Sequence, residues 1–131
     1  MKIIDGKNTV LGRLASYVAK EAIKGEEMVV LNCKEIIVTG NKKNLQEEFQ
    51  IRRGRFGHSQ KGPKHSKVSE KIVKRAIRGM IPDHRQGRGK EIFKKIKCYN
   101  GVPKEFQDSK IINLQKNDKT KFITVKEISN E

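Results

Sequence analysis

The sequence contains no tryptophan, and aromatic residues make up only 5% of it. Proteins that bind single-stranded nucleic acid usually stack the bases on exposed aromatic side chains. Phe56 is the only aromatic residue in the two basic, glycine-containing loops described below. The composition therefore argues against a single-strand binder whose loops recognise bases by stacking.

Cysteine is scarce as well, with Cys33 and Cys98 as the two examples. Neither has a second cysteine close to it in the sequence, which excludes a Cys-x-x-Cys metal or redox pair. A cytosolic protein would keep both thiols reduced. Because Cys33 follows an apolar stretch, its side chain is expected to be a small, buried hydrophobic group.

Long hydrophobic runs are also missing. No apolar stretch approaches the roughly 18 residues of a transmembrane helix, and no basic helix carries the aromatic face of a membrane-surface helix. Residues Met1–Asp5 are not followed by an apolar stretch of the kind found in signal peptides. These absences predict a cytoplasmic protein without a membrane partner, and the length of 131 residues suits a single domain, residues 1–131.

Acidic residues are few relative to basic ones: 15 Asp and Glu stand against 30 Lys and Arg, for a formal net charge of +15. The excess is concentrated in residues 52–104, named the basic segment from here on, which hold 17 basic and three acidic residues. The rest of the chain holds 13 basic and 12 acidic residues. Such a concentration indicates a phosphate-binding surface, and hence a nucleic acid partner rather than a small-molecule substrate.

The N-terminal residues have the pattern of an α/β unit. Lys2–Ile4 is predicted to form a strand, and Val10–Lys24 a helix with its apolar residues along one face. Asn8 or Thr9 is predicted to cap this helix. Met28–Leu31 is a continuous apolar run, as in a strand covered on both faces. Strand, helix and returning strand describe a right-handed βαβ unit, which predicts the α/β class with a parallel sheet.

Further elements are predicted by similar patterns. Ile36–Val38 is a second apolar run, and Lys42–Arg52 is predicted to form a second helix. Ile111–Leu114 is predicted to be a last strand. Thr124–Glu127 has the form of a capping box before a final short helix.

Two loops are predicted within the basic segment. Arg53–Lys67 has no apolar period and is predicted to become ordered against a nucleic acid; a plain flexible loop is the alternative. Pro82 is followed by a second basic loop, Asp83–Lys90. A short helix, about Lys90–Ile96, is predicted to follow it.

The third helix is predicted between these loops, from Glu70 to about Met80, with Ser69 as its cap. Its apolar stripe includes Ile72, Ile77 and Met80, which are expected to face the sheet. Lys71, Lys74, Arg75 and Arg78 fall on the opposite side. Of these, Lys74, Arg75 and Arg78 are expected to face the nucleic acid.

The predicted RNA contacts are the Arg, Lys and His side chains of the loops and exposed helix faces of the basic segment. They are Arg52, Arg53, Arg55, His58, Lys61, Lys64, His65, Lys67, Lys74, Arg75, Arg78, His84, Arg85, Arg88, Lys90, Lys94 and Lys95. Since aromatic residues are scarce there, we expect them to recognise folded RNA by its shape and phosphates. No catalytic, cofactor-binding or metal-ligating residue is predicted.

Two catalytic interpretations fit the residues less well. Gly6 and Gly12 lie between a strand and a helix, but five residues separate them, whereas a P-loop requires Gly-x4-Gly-Lys-Ser/Thr. Of the histidines His58, His65 and His84, two could act with a lysine as the acid, base and phosphate anchor of a metal-free nuclease. A metal site would need carboxylates or thiolates beside them. Histidine among Arg and Gly is more typical of a contact to phosphate or base.

Four motifs occur together and in order. They are Asn8–Ser16, Gly62–Pro63, Ile77–Pro82 and Lys97–Pro103. In this order they resemble the universal L13 family of large-subunit ribosomal proteins, over essentially the whole chain. The tail Thr120–Ile128 is similar to the archaeal and eukaryotic branch of that family.

One stretch departs from the family pattern. Where L13 proteins usually have Gly-Pro-Phe-His-Phe-Arg-x-Pro-Ser, residues 62–69 read Gly-Pro-Lys-His-Ser-Lys-Val-Ser. Both aromatic residues and the second proline are missing, which suggests that charge has replaced stacking at this point.

The resemblance implies a three-layer α/β/α domain around a four-stranded parallel sheet. It also implies a structural role without catalysis or cofactor: binding of large-subunit rRNA beside neighbouring large-subunit ribosomal proteins, in subunit assembly and translation. An RNA-binding translational regulator and an RNA-directed enzyme are the alternative hypotheses.

Overall fold

The structure, a computed structural model, describes residues 1–54, 65–114 and 121–129. The helices in these ranges are α1 (Leu11–Ile23), α2 (Lys42–Arg53), α3 (Ser69–Arg78), α4 (Gly87–Lys94) and α5 (Val125–Ile128). The strands are β1 (Lys2–Asp5), β2 (Met28–Leu31), β3 (Ile37–Thr39), β4 (Ile96–Cys98), β5 (Ile111–Asn113) and β6 (Phe122–Thr124). Short 3₁₀ turns lie at Cys33–Glu35 and Lys104–Phe106.

Four of these strands form a parallel sheet in the order β4-β2-β1-β5. Ile3 of β1 pairs with Val29 of β2 on one side and with Ile111 of β5 on the other. Val30 of β2 pairs with Cys98 of β4. The chain passes from β1 through α1 to β2, as the predicted βαβ unit requires, and the α/β class is confirmed.

Alternation along the central strands gives the sheet two apolar faces. One face, with Ile4, Met28 and Val30, belongs to the main core that it forms with α1 and α3. The opposite face, with Val29, packs on Phe106 of the second 3₁₀ turn. The layers are helices, sheet and a thin helical turn, which confirms the predicted three-layer α/β/α arrangement.

Three strands differ from the prediction. Ile96–Cys98, which begins where a helix Lys90–Ile96 was expected to end, forms β4, and α4 occupies Gly87–Lys94 instead. Pairing with β2 overrides the local helical period. The apolar run at Ile36–Val38 yields β3, which lies outside the parallel sheet and pairs antiparallel with β6, a strand that no pattern predicted.

The helix caps are only partly as expected. Neither Asn8 nor Thr9 caps α1: Asn8 has a φ of 58°, whereas an N-cap residue needs an extended backbone. Thr9 is buried, and its hydroxyl lies 3.4 Å from the carbonyl oxygen of Lys7. Thr124 and Glu127 form the predicted capping box at α5.

The C-terminal helix α5 joins the two segments that flank residues 55–64. The guanidinium of Arg53, at the end of α2, donates a 2.9 Å hydrogen bond to the carbonyl of Ile128. The hydroxyl of Ser69, at the start of α3, donates a 3.0 Å hydrogen bond to the hydroxyl of Ser129, and both serines are buried. The prediction that Ser69 caps α3 is wrong, because Ser69 is the first residue of the helix and Val68 is its N-cap.

Helix α3 ends earlier than predicted. It closes at Arg78 with Gly79 as its C-cap, so Met80 lies in the turn beyond the helix and is 42% exposed. The prediction that Met80 faces the sheet is therefore wrong. Ile72 and Ile77 are buried in the core, as expected.

Candidate nucleic-acid interface

Helix α3 presents a continuous basic stripe. Its buried residues Ile72, Val73 and Ile77 belong to the main core, and the helix packs against α1. Because these residues face the core, the opposite side of the helix faces away from it. Side chains three and four positions apart share a helix face, and the residues on this side are Lys71, Lys74, Arg75 and Arg78.

The stripe lines a cleft of about 480 Å³ whose other walls come from α2, α4, the start of α1 and the residues before α3. The described residues that line this basic cleft are Leu11, Phe49, Arg52, His65, Ser66, Lys71, Ile72, Lys74, Arg75, Ala76, Arg78 and Phe93. They include five Lys or Arg and no Asp or Glu. A concave surface with charges of one sign focuses their potential, so this cleft attracts phosphates.

Two phenylalanines hold cations at the basic cleft. The Nζ of Lys74 lies 4.9 Å from the centre of the Phe93 ring. The Cζ of Arg52 lies 5.6 Å from the centre of the Phe49 ring. Both distances are those of cation–π contacts. A contact with a ring positions a cation without neutralising it.

The two arginines at the end of α2 have different roles. Arg52 also bonds to the carboxylate of Glu48 one turn earlier, in a solvent-exposed pair; such pairs are weak, so a phosphate can compete for Arg52. Arg53 packs on Phe49 and donates to the carbonyl of Ile128. Burial lowers the pKa of the Arg53 guanidinium, which still carries its charge at neutral pH. Arg53 thus links helices rather than lining the cleft.

Outside the basic segment, some of the described cations are paired with carboxylates. Lys2 and Lys24 both contact the largely buried carboxylate of Glu21. The hydrogen bond from Lys2 lowers the pKa of Glu21 and raises the pKa of Lys2, which keeps both groups charged. The carboxylate of Glu21 thus offsets the positive charge of Lys2 and Lys24. The basic cleft, by contrast, has no carboxylate among its described lining residues.

A second group of predicted RNA contacts lies in the loop after α3 and along α4. Its exposed members are Arg85, Arg88, Lys90, Lys94 and Lys95. His84 is half-buried, and its Nε2 has no hydrogen-bond partner in the part of the chain that the structure describes. Arg88 donates a 3.0 Å hydrogen bond to the carbonyl of Ile23 at the end of α1, where a cation is favoured by the helix dipole.

Close backbone contacts fix the shape of this loop. The amide of Gln86 donates to the carbonyl of Asp83 at 3.1 Å, and Asp83 has a φ of 50°. A Cβ atom on Gly89 would lie 2.1 Å from the carbonyl oxygen of Pro82 and 2.3 Å from that of Asp83. Only glycine fits at this position, so the loop packs directly on the first turn of α4.

The structure therefore divides the predicted RNA contacts into groups. Those that line the basic cleft are Arg52, His65, Lys74, Arg75 and Arg78. Those of the second group are His84, Arg85, Arg88, Lys90, Lys94 and Lys95. Lys67 is exposed just before α3, and Arg53 links α2 to α5. The predicted contacts Arg55, His58, Lys61 and Lys64, and residues 55–64 of the predicted loop Arg53–Lys67, lie outside the described residues.

Three notable residues of the cleft were not among the predicted RNA contacts. The helical period had placed Lys71 on the basic side of α3 together with Lys74, but Lys71 was not counted among the RNA contacts. Phe49 and Phe93 come from different helices, α2 and α4, and no local pattern signals that they line one cleft.

The two thiols lie side by side although they are distant in the sequence. Pairing of β4 with β2 places Cys98 opposite Val30, and the Sγ of Cys33 lies 3.9 Å from the carbonyl oxygen of Val30. A hydrogen bond between the two thiols, together with burial, raises the pKa of Cys33. Both cysteines are free, and Cys33 is fully buried as predicted. A thiol held in its protonated form is a poor nucleophile, so this pair belongs to the core.

The turn between β1 and α1, where the two glycines suggested a phosphate loop, is organised by a carboxylate. Asp5 Oδ1 accepts a 3.0 Å hydrogen bond from the amide of Lys7 and a 2.9 Å hydrogen bond from Nδ2 of Asn32. A negative side chain in this turn opposes the binding of phosphate there.

Neither a metal centre nor a membrane span is found in ranges 1–54, 65–114 and 121–129. No three His, Cys, Asp or Glu side chains are grouped there in a way that could hold a metal ion. No helix in these ranges has the length and apolar character needed to cross a bilayer.

The family model of ribosomal protein L13 matches residues 1–105 of the chain. The chain belongs to the ribosomal protein L13 family. The large ribosomal subunit protein uL13 of Thermoplasma volcanium is 40% identical over 134 residues, covering all of this chain and 97% of that protein. That of Methanococcus maripaludis is 42% identical over 133 residues, covering 98% and 95%. That of Caenorhabditis elegans is 36% identical over 137 residues, covering 98% and 67%. These archaeal and eukaryotic relatives confirm the predicted branch.

Two of the motifs that resemble L13 border the basic cleft. Asn8–Ser16 forms the start of α1, and Ile77–Pro82 closes α3. Lys97–Pro103 runs from β4 to the other face of the sheet, where the ring centres of Tyr99 and Phe106 are 5.8 Å apart. Gly62–Pro63 lies outside the described residues.

Proposed function

We propose that the chain is a structural constituent of the large ribosomal subunit that binds large-subunit rRNA through the basic cleft and the loop after α3. The observation that carries this proposal is the lining of the cleft, with five Lys or Arg and no Asp or Glu. Membership of the L13 family supports a location on the cytoplasmic ribosome. The wider role, in subunit assembly and translation beside neighbouring large-subunit proteins, follows the family resemblance.

The architecture supports binding by a preformed surface. The apolar side of α3 is fixed in the core, so its cations project from a rigid helix rather than from a loop that must become ordered. Contacts from such cations go to phosphates, which set the orientation of the RNA without reading its sequence. We therefore expect the free energy of binding to be mainly electrostatic.

Binding to a large-subunit rRNA fragment should depend steeply on salt. Contact with about six to ten phosphates predicts a slope of log Kobs against log salt of roughly −5 to −9. Fluorescence anisotropy between about 50 and 200 mM KCl measures it. Lys71→Gln should reduce the slope by about one unit, whereas Lys20→Gln, on an exposed position of α1 outside the basic segment, should leave it unchanged. A nearly flat dependence for the unmodified protein would contradict the proposal.

The alternative functions receive less support. A nuclease without a metal needs two histidines at one phosphate, and of the described histidines His65 lines the basic cleft while His84 lies in the loop after α3. A translational regulator would use the same cations but would sediment apart from ribosomes, which a sucrose gradient of a lysate distinguishes.

A further inference from the structure

We propose that the basic cleft holds one unstacked nucleotide of the bound RNA, with the base against the Phe49 and Phe93 walls and adjoining phosphates on the stripe of α3. The proposal rests on the proposed function, because it specifies which part of the RNA enters that site.

The first observation is the shape and composition of the cleft. A stripe of cations can bind phosphates on a flat or convex surface, but here it borders a concavity of about 480 Å³. This size falls within the roughly 300–1,000 Å³ of sites for small organic ligands. The apolar part of the lining comes from Leu11, Phe49, Ile72, Ala76 and Phe93. A purely ionic contact would leave these walls in water.

The second observation is the concentration of aromatic rings. The chain has five Phe and two Tyr in all, yet two of these seven rings line this one cleft. Both Phe49 and Phe93 are half-buried, so each keeps part of its surface open. Unstacked RNA bases bind to aromatic rings and to arginine guanidinium planes, and both kinds of group are present here.

The third observation is that each ring is paired with a cation. Arg52 lies over Phe49 and Lys74 over Phe93, at 5.6 and 4.9 Å from the ring centres. A nucleotide carries a planar base and an anionic phosphate a few bonds apart. The lining of the cleft likewise places aromatic rings and cations a few ångströms from each other. The lack of any carboxylate among the described lining residues disfavours a protein side chain as the occupant, since most protein surfaces mix both signs of charge.

The proposal is tested with the full chain and the rRNA fragment of the salt titration. Phe93→Leu and Phe49→Leu should each weaken binding about tenfold without changing the salt slope, because loss of stacking releases no fewer counterions. Phe93→Tyr keeps the ring and should bind normally. Phe122→Leu is the matched control, since Phe122 is 52% exposed and lies outside the cleft; its affinity should be unchanged.

Other outcomes separate this proposal from the proposed function. Unchanged affinity of both leucine variants, with a steep salt slope for the unmodified protein, overturns the nucleotide pocket and leaves rRNA binding intact. A loss of affinity in Phe93→Leu together with a slope reduced by one unit also overturns it, because Phe93 would then only position Lys74. Failure of the unmodified protein to bind overturns the proposed function. Should the melting curve show that Phe93→Leu does not fold, Phe49→Leu, on another helix, decides.

Discussion

Gly89 determines how the second basic loop meets α4. Most substitutions in basic loops are tolerated because the side chains point into water. At Gly89 the obstacle is backbone: the carbonyl oxygens of Pro82 and Asp83 lie where a Cβ atom would be. Backbone atoms cannot rotate away as the end of a flexible side chain can, so the loop itself would have to move.

Gly89→Ala should lower the free energy of unfolding by about 1–3 kcal/mol, the usual cost of overpacking. Urea titration followed by circular dichroism measures the change. Gly101→Ala is the matched control, because no atom outside its chain neighbours lies within 4 Å of the added Cβ; its effect should stay within about half a kcal/mol. Equal stability of the two variants would show that the loop shifts at little cost.

Single residues of the candidate site were predictable to different degrees. The cations Arg52, Lys74 and Arg78 were identified because charge is a property of the residue itself. Phe49 and Phe93 were not, since their shared role depends on α2 and α4 meeting across α3. The scarcity of aromatic residues in the loops says nothing about where the few rings of the helices lie.

At the scale of elements, α3 serves both the core and the candidate interface. Its apolar side was predicted well because a helix of ten residues gives a clear period. The error at Met80 has a physical cause: the apolar period continues in the sequence after Gly79 has ended the helix, so position 80 no longer belongs to the same face. A three-residue strand such as β4 has too few residues to establish a period, and its pairing with β2 could not be read locally.

Ile77→Ala and Met80→Ala should differ widely although both remove a large apolar side chain from the predicted stripe. Ile77 is fully buried, so its truncation should cost about 2–5 kcal/mol of stability. Met80 is 42% exposed, and its truncation should cost less than about half a kcal/mol. Thermal melts of the two variants make the comparison. A similar loss in both would place Met80 in the core after all.

At the scale of the whole molecule, the dominant property is a net charge of +15 on 131 residues. A domain of this length has a radius of gyration of about 14 Å. At low salt the screening length is about 30 Å, so nearly all of these charges repel one another, whereas at about 0.15 M it falls to roughly 8 Å. The fold class could be predicted despite this charge because the apolar runs of β1, α1 and β2 lie outside the basic segment.

Salt should therefore act in opposite directions on the free protein and on its RNA complex. Between about 0.01 and 0.15 M KCl, the melting temperature of the free protein should rise by several degrees as self-repulsion is screened. The stabilisation that RNA adds should shrink over the same range, because binding weakens. Differential scanning calorimetry with and without the rRNA fragment tests both signs. A melting temperature of the free protein that falls with salt would show that attractive ion pairs dominate its electrostatics.

The contacts of α5 have a consequence for the timing of biosynthesis. This helix holds Arg53 at the end of α2 and, through Ser129, Ser69 at the start of α3. A nascent chain is synthesised from its amino end at about 5–20 residues per second. Helix α2 and the start of α3 are therefore made before α5, to which they are linked. During that interval the β1-α1-β2 unit and its packing with α3 can already form, whereas Arg53 and Ser69 still lack their hydrogen bonds to Ile128 and Ser129. The hydrogen bonds that link the end of α2 and the start of α3 to the C-terminal residues thus form only after both helices have been synthesised.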